Sequence, residues 1–368
     1  VEAYRRLGIE APSPCQSEGL LALAACWVAT GEAARAEELI RQLREAYLAV
    51  PGESDGNVGN GYELAIAYDL ARTYRGWGVE DRAIVEGKIA RSLRHALILL
   101  DDDEMSLWHG RATLAAAAWL SAVVLEAGEP AGDPGRDLGG DAAREPVRGG
   151  MGDRDSARDA MVARAQGHFL EVLRALALTE GWPEGYFYWI NSRGRILALA
   201  ASAYLNGLEG QRNAEAVRAL LSRVGRWHIY AMRPDQRAQG FGDEGPRVDL
   251  IEETRPVVDL LAQASRDPAL ATYSDYLGKV LGRRSYHRDH LWGFWLFNDP
   301  GLERLRGDGL QALDGVLPRA ALFGPNALNQ VFIRSDWGPD ATYVTFRAGD
   351  TFAHHGHYDA GHFTLFKG

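Results

Sequence analysis

The chain has 368 residues but only two cysteines, four methionines and three lysines, Lys88, Lys279 and Lys367. It also lacks any run near the ~20 apolar residues of a membrane span, which argues against a membrane partner. Acidic side chains outnumber basic ones by 50 to 40, giving a formal charge of -10. That balance argues against nucleic acid, whose binders carry a basic excess or stripe. No Cys/His zinc-finger spacing is present. Cys15 and Cys26 fall in an Ala-rich segment that reads as one helix. At ~1.5 Å of rise per residue, positions eleven apart on one helix cannot be bridged, so two small buried thiols are expected. The first residues, Val1-Glu2-Ala3-Tyr4-Arg5-Arg6, carry neither an initiator methionine nor a signal-peptide pattern and decide nothing about compartment.

What is present is mostly helix. Leu39, Ile40, Leu43, Tyr47 and Val50 share one helical face, as do Ile84, Ile89, Leu93, Leu97 and Leu100. Further helices read at about 16–30, 61–76, 105–126, 157–178, 188–206, 213–230, 249–265 and 269–282. Gly and Pro punctuate short connections, which implies antiparallel pairs. An (α/α) toroid is one arrangement of such pairs, and periodicity alone cannot close the ring. Residues 128–156 are rich in Gly, Asp, Arg and Pro and read as a disordered surface insertion.

After Leu317-Pro318 the texture changes. Residues 330–334, 342–347 and 362–367 are rich in β-branched and aromatic side chains and read as strands. The expected architecture is a toroid over 1–317 followed by an antiparallel β domain over 318–368. Three strands cannot stand alone: either the sheet packs on the helices or the β domain continues past Gly368, and the second is expected.

Three segments could carry chemistry. The first is His354-His355-Gly356-His357-Tyr358-Asp359-Ala360-Gly361-His362, with four of the ten histidines in nine residues. If extended, it would point His355, His357 and Asp359 to one face, where one imidazole could move protons while another binds a metal. The second runs from Glu180 to Trp189. Trp182, Tyr186 and Trp189 could stack on sugar rings and a Tyr hydroxyl could transfer protons, or the segment could be an aromatic helix start packed on the core. The third is Ser106-Leu107-Trp108-His109-Gly110-Arg111. The polar turn Gly240-Phe241-Gly242-Asp243 is as ambiguous as the third. The basic side chains are almost all Arg, which suits bidentate binding of carboxylate or sulfate; a compositional bias explains them equally well.

Taken together, these segments resemble the heparinase II/III-like polysaccharide lyases over about residue 60 to the end. His355-Gly356-His357-Tyr358-Asp359-Ala360-Gly361 with Phe363 is similar to that family's signature at the start of its β-sandwich. Glu184-Gly185 followed by Tyr188-Trp189 is similar to the segment bearing its catalytic Tyr. Arg334-Ser335-Asp336-Trp337-Gly338 and Phe241-Gly242-Asp243 have counterparts in the expected order. The resemblance implies β-elimination on a uronic-acid polysaccharide. It implies Tyr188 as base, acid or both, His355 as a second proton-transfer group, and His109, with Arg111, on the uronate carboxylate. Glu184, Trp189, Trp182 and Asp243 would bind substrate. His357 and Asp359 would serve a structural divalent metal: zinc, or manganese or calcium. Ala112 departs from the pattern where another polar residue is common. The implied partner is an acidic polysaccharide or oligosaccharide and the implied location periplasmic or secreted, with cytoplasmic the alternative; a homo-oligomer is compatible with this. Two rivals stand beside it. One is a glycoside hydrolase using Glu184 and Asp243, which needs carboxylates ~5–9.5 Å apart. The other is a non-catalytic carbohydrate binder using Trp182, Tyr186 and Trp189.

Overall fold

A computed structural model of the chain describes residues 13–16, 18–52, 57–102, 107–126, 151–207, 210–244, 254–281, 286 and 291–368. It is mainly helical, with a four-stranded antiparallel sheet at the C-terminal end. The helices are α1 (Leu20–Thr30), α2 (Ala33–Glu45), α3 (Gly61–Ala71), α4 (Val79–Leu100), α5 (Ala112–Glu126), α6 (Met151–Thr179), α7 (Gly194–Asn206), α8 (Gly210–Tyr230), α9 (Thr254–Ser265), α10 (Pro268–Leu281) and α11 (Leu291–Phe297). No helix among the described residues is long and apolar enough to cross a membrane.

Alternate helices pack on one another. α1 contacts α3, α3 contacts α5, α5 contacts α7, α7 contacts α9, α9 contacts α11, and α11 returns to α1. The sequence explains the central place of α5. Its residues Ala112-Thr113-Leu114-Ala115-Ala116-Ala117-Ala118-Trp119 are all buried. A helix that is apolar on every side must be surrounded, and its run of alanines lets α3, α4, α6 and α7 approach together. By contrast, α2 buries only Ala36, Leu39, Ile40 and Leu43 and turns its charged residues outward.

Two helical expectations change. Helix α6 begins at Met151, so the last part of the expected 128–156 insertion is helical; residues 127–150 lie outside the described residues. Cys15 and Cys26 form a disulfide with Cα atoms 4.8 Å apart. The expectation of two free thiols failed because the cysteines do not share a helix. Cys15 sits in a separate turn, Pro14–Gln16, and α1 starts only after Gly19, whose φ of 97° reverses the chain. The turn therefore folds back along α1 instead of extending it.

The sheet runs in the order β1 (Ala320–Phe323), β2 (Gln330–Arg334), β3 (Thr342–Arg347), β4 (Phe363–Lys367). Strands were expected at the last three positions. β1 was not, because Ala-Ala-Leu-Phe carries no β-branched residue. The register places Leu322, Val331, Phe346 and Phe363 in one cross-strand row, with Ile333, Val344 and Leu365 in the next. This outer face is apolar, and Leu322, Ile333, Phe346, Phe363 and Leu365 are exposed. The inner face, against the helices, buries Phe332 and Tyr343 together with Gln330, Arg334, Thr345 and Arg347. Those polar groups make the helix–sheet joint. Trp227 Nε1 donates to Gln330 Oε1 (2.9 Å), Tyr343 Oη to Tyr230 O (2.9 Å), and Arg347 Nη2 to Pro183 O (3.3 Å). Glu180 accepts from Arg223 on α8 and from Gly324 N in the β1–β2 turn.

Candidate active site

The joint brings two distant segments onto one carboxylate. Between α6 and α7 the chain passes through Glu180–Gly185, a short helix Tyr186–Tyr188 and a π turn Trp189–Arg193. Gly185, at φ 100°, makes the sharp entry that only glycine takes easily. A π turn is uncommon and tends to occur at functional positions. A second one, Leu107–Arg111, leads into α5. From the sheet side, the β3–β4 connection carries His355 and His357. It is not the extended segment that strict alternation of His355, His357 and Asp359 assumed. Hydrogen bonds from Gly356 N to Ala353 O and from His362 N to Asp359 O fold it into turns.

Asp243 is where these segments meet. Its Oδ2 lies 2.6 Å from His355 Nδ1 and accepts from Tyr188 Oη at 3.1 Å. Its Oδ1 lies 2.6 Å from His357 Nε2. Tyr188 Oη is also 3.1 Å from His355 Nδ1, and the two rings stack at 4.3 Å. The turn bearing Asp243 is held by its neighbours. Gly242, at φ 60°, donates its N–H to Asp359 Oδ2 (2.9 Å), and a Cβ there would press on His355 O and Glu184 O at 3.1 and 3.2 Å. Glycine is needed at that position because three backbones converge there.

These contacts set the protons. Burial acts to raise the Asp243 pKa, but hydrogen bonds from His357, His355 and Tyr188 outweigh it and hold the carboxyl below its ordinary value. Asp243 is therefore ionised at neutral pH and can only accept. The proton shared with His355 sits on Nδ1, which makes Nε2 the basic nitrogen, the orienting role that an Asp plays in acid–base triads. Burial, then the hydrogen bond to Asp243, raises the Tyr188 pKa, so the phenol stays protonated. The cation required for a phenolate is present: the guanidinium of Arg193 lies 5.2 Å over the Tyr188 ring. Its pull is the weaker influence.

The remaining candidates are placed differently. Glu184 is buried; Oε2 accepts from Trp182 Nε1 (3.2 Å) and Oε1 from His355 N (3.4 Å), and burial raises its pKa. It braces the site from below and offers no surface to a substrate. Trp182 and Trp189, expected to stack on sugars, are each 1% exposed. Trp182 packs edge-on against Trp108 and Trp189 is tilted against Trp182. They are the aromatic helix start packed on the core. Arg111 donates to Asp102 O (3.1 Å) and lies 3.7 Å from Glu171, engaged with the connection after α4 and with α6. The His109 side chain lies outside the described residues. His357 and Asp359 do not meet as metal ligands, because Asp243 holds the first and Gly242 N engages the second. No group of three or more His, Cys, Asp or Glu among the described residues is arranged to hold an ion. No chemistry is derived through a metal.

Two residues were missed by sequence reasoning. Arg193 falls five positions after Tyr188, a spacing that only knowledge of the π turn would single out. His228, on α8, is buried beneath the site. Trp189 Nε1 donates to its Nδ1 (3.0 Å), so its Nε2 carries the proton and donates to Tyr186 Oη (3.0 Å). Burial pushes its pKa down to about 3, which keeps it neutral. Nothing in the isolated sequence around His228 announces this role.

No known protein-family model matches the chain, and no curated protein matches it.

Proposed function

We propose that the chain is a polysaccharide lyase that cleaves a uronic-acid-containing polysaccharide, glycosaminoglycan- or alginate-like, by β-elimination. The observation that carries this reading is the shared carboxylate. Asp243 holds a protonated phenol and an oriented imidazole side by side, an acid and a base within 3.1 Å of each other. β-Elimination needs one group of each kind. In the proposed reaction, His355 Nε2 takes the C5 proton. The C–H electron pair forms the C4–C5 double bond as the C4–O bond breaks, and the leaving oxygen takes the Tyr188 proton. The imidazolium Nδ1 proton then restores the phenol, and exchange with solvent resets the tautomer. His109 is the proposed donor to the uronate carboxylate, whose charge must be offset for the C5 proton to leave.

The rivals have less support. The hydrolase pair needs Glu184 beside the substrate, and Glu184 is enclosed. The binding-protein reading needs Trp182, Tyr186 and Trp189, all buried. The closed succession α1–α3–α5–α7–α9–α11 supports an (α/α) toroid, and the apolar outer face of the sheet supports one layer of a β-sandwich. The Cys15–Cys26 disulfide supports a periplasmic or secreted location, since disulfides persist where the surroundings are oxidising. The direct test is a panel of uronic-acid polysaccharides followed by the ultraviolet absorbance of the new conjugated double bond. No absorbance on any of them, from folded protein, would reject the lyase.

A further inference from the structure

A second concentration of polar groups lies in the helix–sheet joint, and the proposed reaction does not use it. A small cavity is lined by Tyr273 of α10, Arg334 of β2, Trp337 and Gln236. Ile229, Met232, Pro234 and Leu310 supply its apolar wall. Tyr273, Arg334 and Trp337 are 2%, 6% and 1% exposed. Arg334 Nε, Trp337 Nε1 and Tyr273 Oη have no hydrogen-bond partner among the described residues. Buried polar atoms are rarely left so, because each forfeits its hydration without compensation. Three around one cavity point to a guest.

Charge identifies the guest. Arg334 donates Nη2 to Met232 O (2.7 Å), and its guanidinium lies 3.9 Å over the Trp337 ring and 5.2 Å over Tyr343. These contacts shield the cation but do not neutralise it. The acid that acts on it, and only weakly, is Asp336, which is half-buried and engaged by Ser335 and Gly338 N. Arg233, the other cation at the cavity, already has its carboxylate in Asp235 (2.9 Å). Among the described residues this positive charge is therefore buried without an ion-pair partner, an arrangement proteins avoid unless an anion pairs with it. Burial also holds the Tyr273 phenol well above its ordinary pKa, so it is a donor. A water accepts two hydrogen bonds at most, whereas a halide accepts all three. Gln236 Oε1, the one unpartnered acceptor, opposes an anion, but it belongs to a half-buried side chain facing three donors and a guanidinium charge. A monatomic anion asks least of the small space that these residues line.

We propose that this cavity is a binding site for a single chloride ion, held by Arg334, Trp337 and Tyr273, which fastens the sheet to the end of α8 and to α10. The site is independent of the lyase reading. Anything that binds only the folded state raises its stability by mass action. Melting is therefore measured in sodium chloride and in sodium gluconate at equal ionic strength. The expected result is a melting temperature higher by about 2 °C or more in chloride. Tyr273→Phe removes one donor and keeps the ring, and should raise the chloride concentration at half-effect about five- to tenfold. Crystals of the unaltered protein grown in bromide should show an anomalous peak in the cavity. Equal melting in both salts, or ordered water there with no bromide signal, would overturn the proposal.

Discussion

Two tyrosines two residues apart, Tyr186 and Tyr188, each meet a histidine, and the pairs have opposite characters. Tyr186 and His228 are sealed in the core at 3.0 Å, with Trp189 donating to the same imidazole. Tyr188 and His355 meet at 3.1 Å at the edge of the joint, where Asp243 ties both together. Similar side chains and a similar distance thus give different chemistry. In the core, burial alone fixes the protonation state, and His228 stays neutral at any ordinary pH. At the edge, a carboxylate orients the imidazole, which is only partly buried. The inner pair is a scaffold for the outer one, because Trp189, which His228 engages, begins the π turn immediately after Tyr188.

The largest effect separating the pairs should come from Tyr188→Phe. It removes the hydroxyl that Asp243 and His355 contact and keeps the ring stacked on His355. Turnover should fall at least ~10³-fold, toward the upper range for a positioned acid, with melting nearly unchanged. A variant that keeps most of its activity would show that the outer pair is structural too. Asp243→Asn is expected to cost about 10²-fold in kcat, the low end for a positioned acid–base group, because the amide no longer fixes the His355 tautomer. It carries a second readout. Burial and then Asp243 raise the Tyr188 pKa, so an acid Tyr188 makes activity fall only on the far alkaline side. Without the carboxylate that alkaline limb should move to lower pH. An unmoved limb would mean that Tyr188 is not the titrating acid.

Much of the outer pair was legible in the sequence, and almost none of the inner pair was. The His355–Asp359 cluster and the Glu184–Trp189 segment stood out through unusual composition. Their meeting on Asp243, which had looked like an ordinary polar turn, depends on the φ of Gly242 and on long-range packing, and local pattern reports neither. His228 sits in an amphipathic helix among Arg226, Trp227 and Ile229, where periodicity marks burial but not partnership. Trp182 and Trp189 misled for a related reason: an aromatic run reads alike whether it faces a sugar or a core. The helices themselves were easier, since α8 and α10 follow from 3.6-residue spacing to within three residues, while α3, α5 and α7 end or begin five to seven residues from the expected bounds. The Cys15–Cys26 bridge was lost by extending α1 one turn too far.

A smaller effect tests the inner pair through linkage. His228 has an ordinary pKa of 6.5 and a folded one of about 3. Between those values the unfolded chain binds the proton and the folded chain does not. Its contribution is therefore complete above pH 6.5 and is lost progressively as pH falls toward 3, at up to ~1.4 kcal/mol per pH unit. Urea unfolding at a series of pH values should show this slope, and His228→Gln should lack that component while being less stable at pH 7. An identical slope in the variant would place the titrating group elsewhere.

The smallest effect, and the one that most directly sharpens the contrast, belongs to Tyr186→Phe. The ring stays packed edge-on to His228 at 4.9 Å. Only the hydroxyl goes, and with it the acceptor for His228 Nε2–H. The Thr254 Oγ1 contact at 3.5 Å is long and adds little. A buried N–H left without a partner costs about 1–3 kcal/mol. Because the cavity left by one oxygen is small, the low end is expected, about 1–2 kcal/mol, seen as a drop of a few degrees in melting. If the lyase reading holds, activity at a temperature where the variant is folded should stay within about threefold of that of the unaltered protein, because Tyr186 is 0% exposed and offers no surface to a substrate. The two substitutions make the same chemical change two residues apart, so they act as controls for each other: one should take activity and spare the fold, the other should take stability and spare activity. If Tyr186→Phe instead lost turnover as completely as Tyr188→Phe while remaining folded, the inner histidine would be part of the proton path rather than its support.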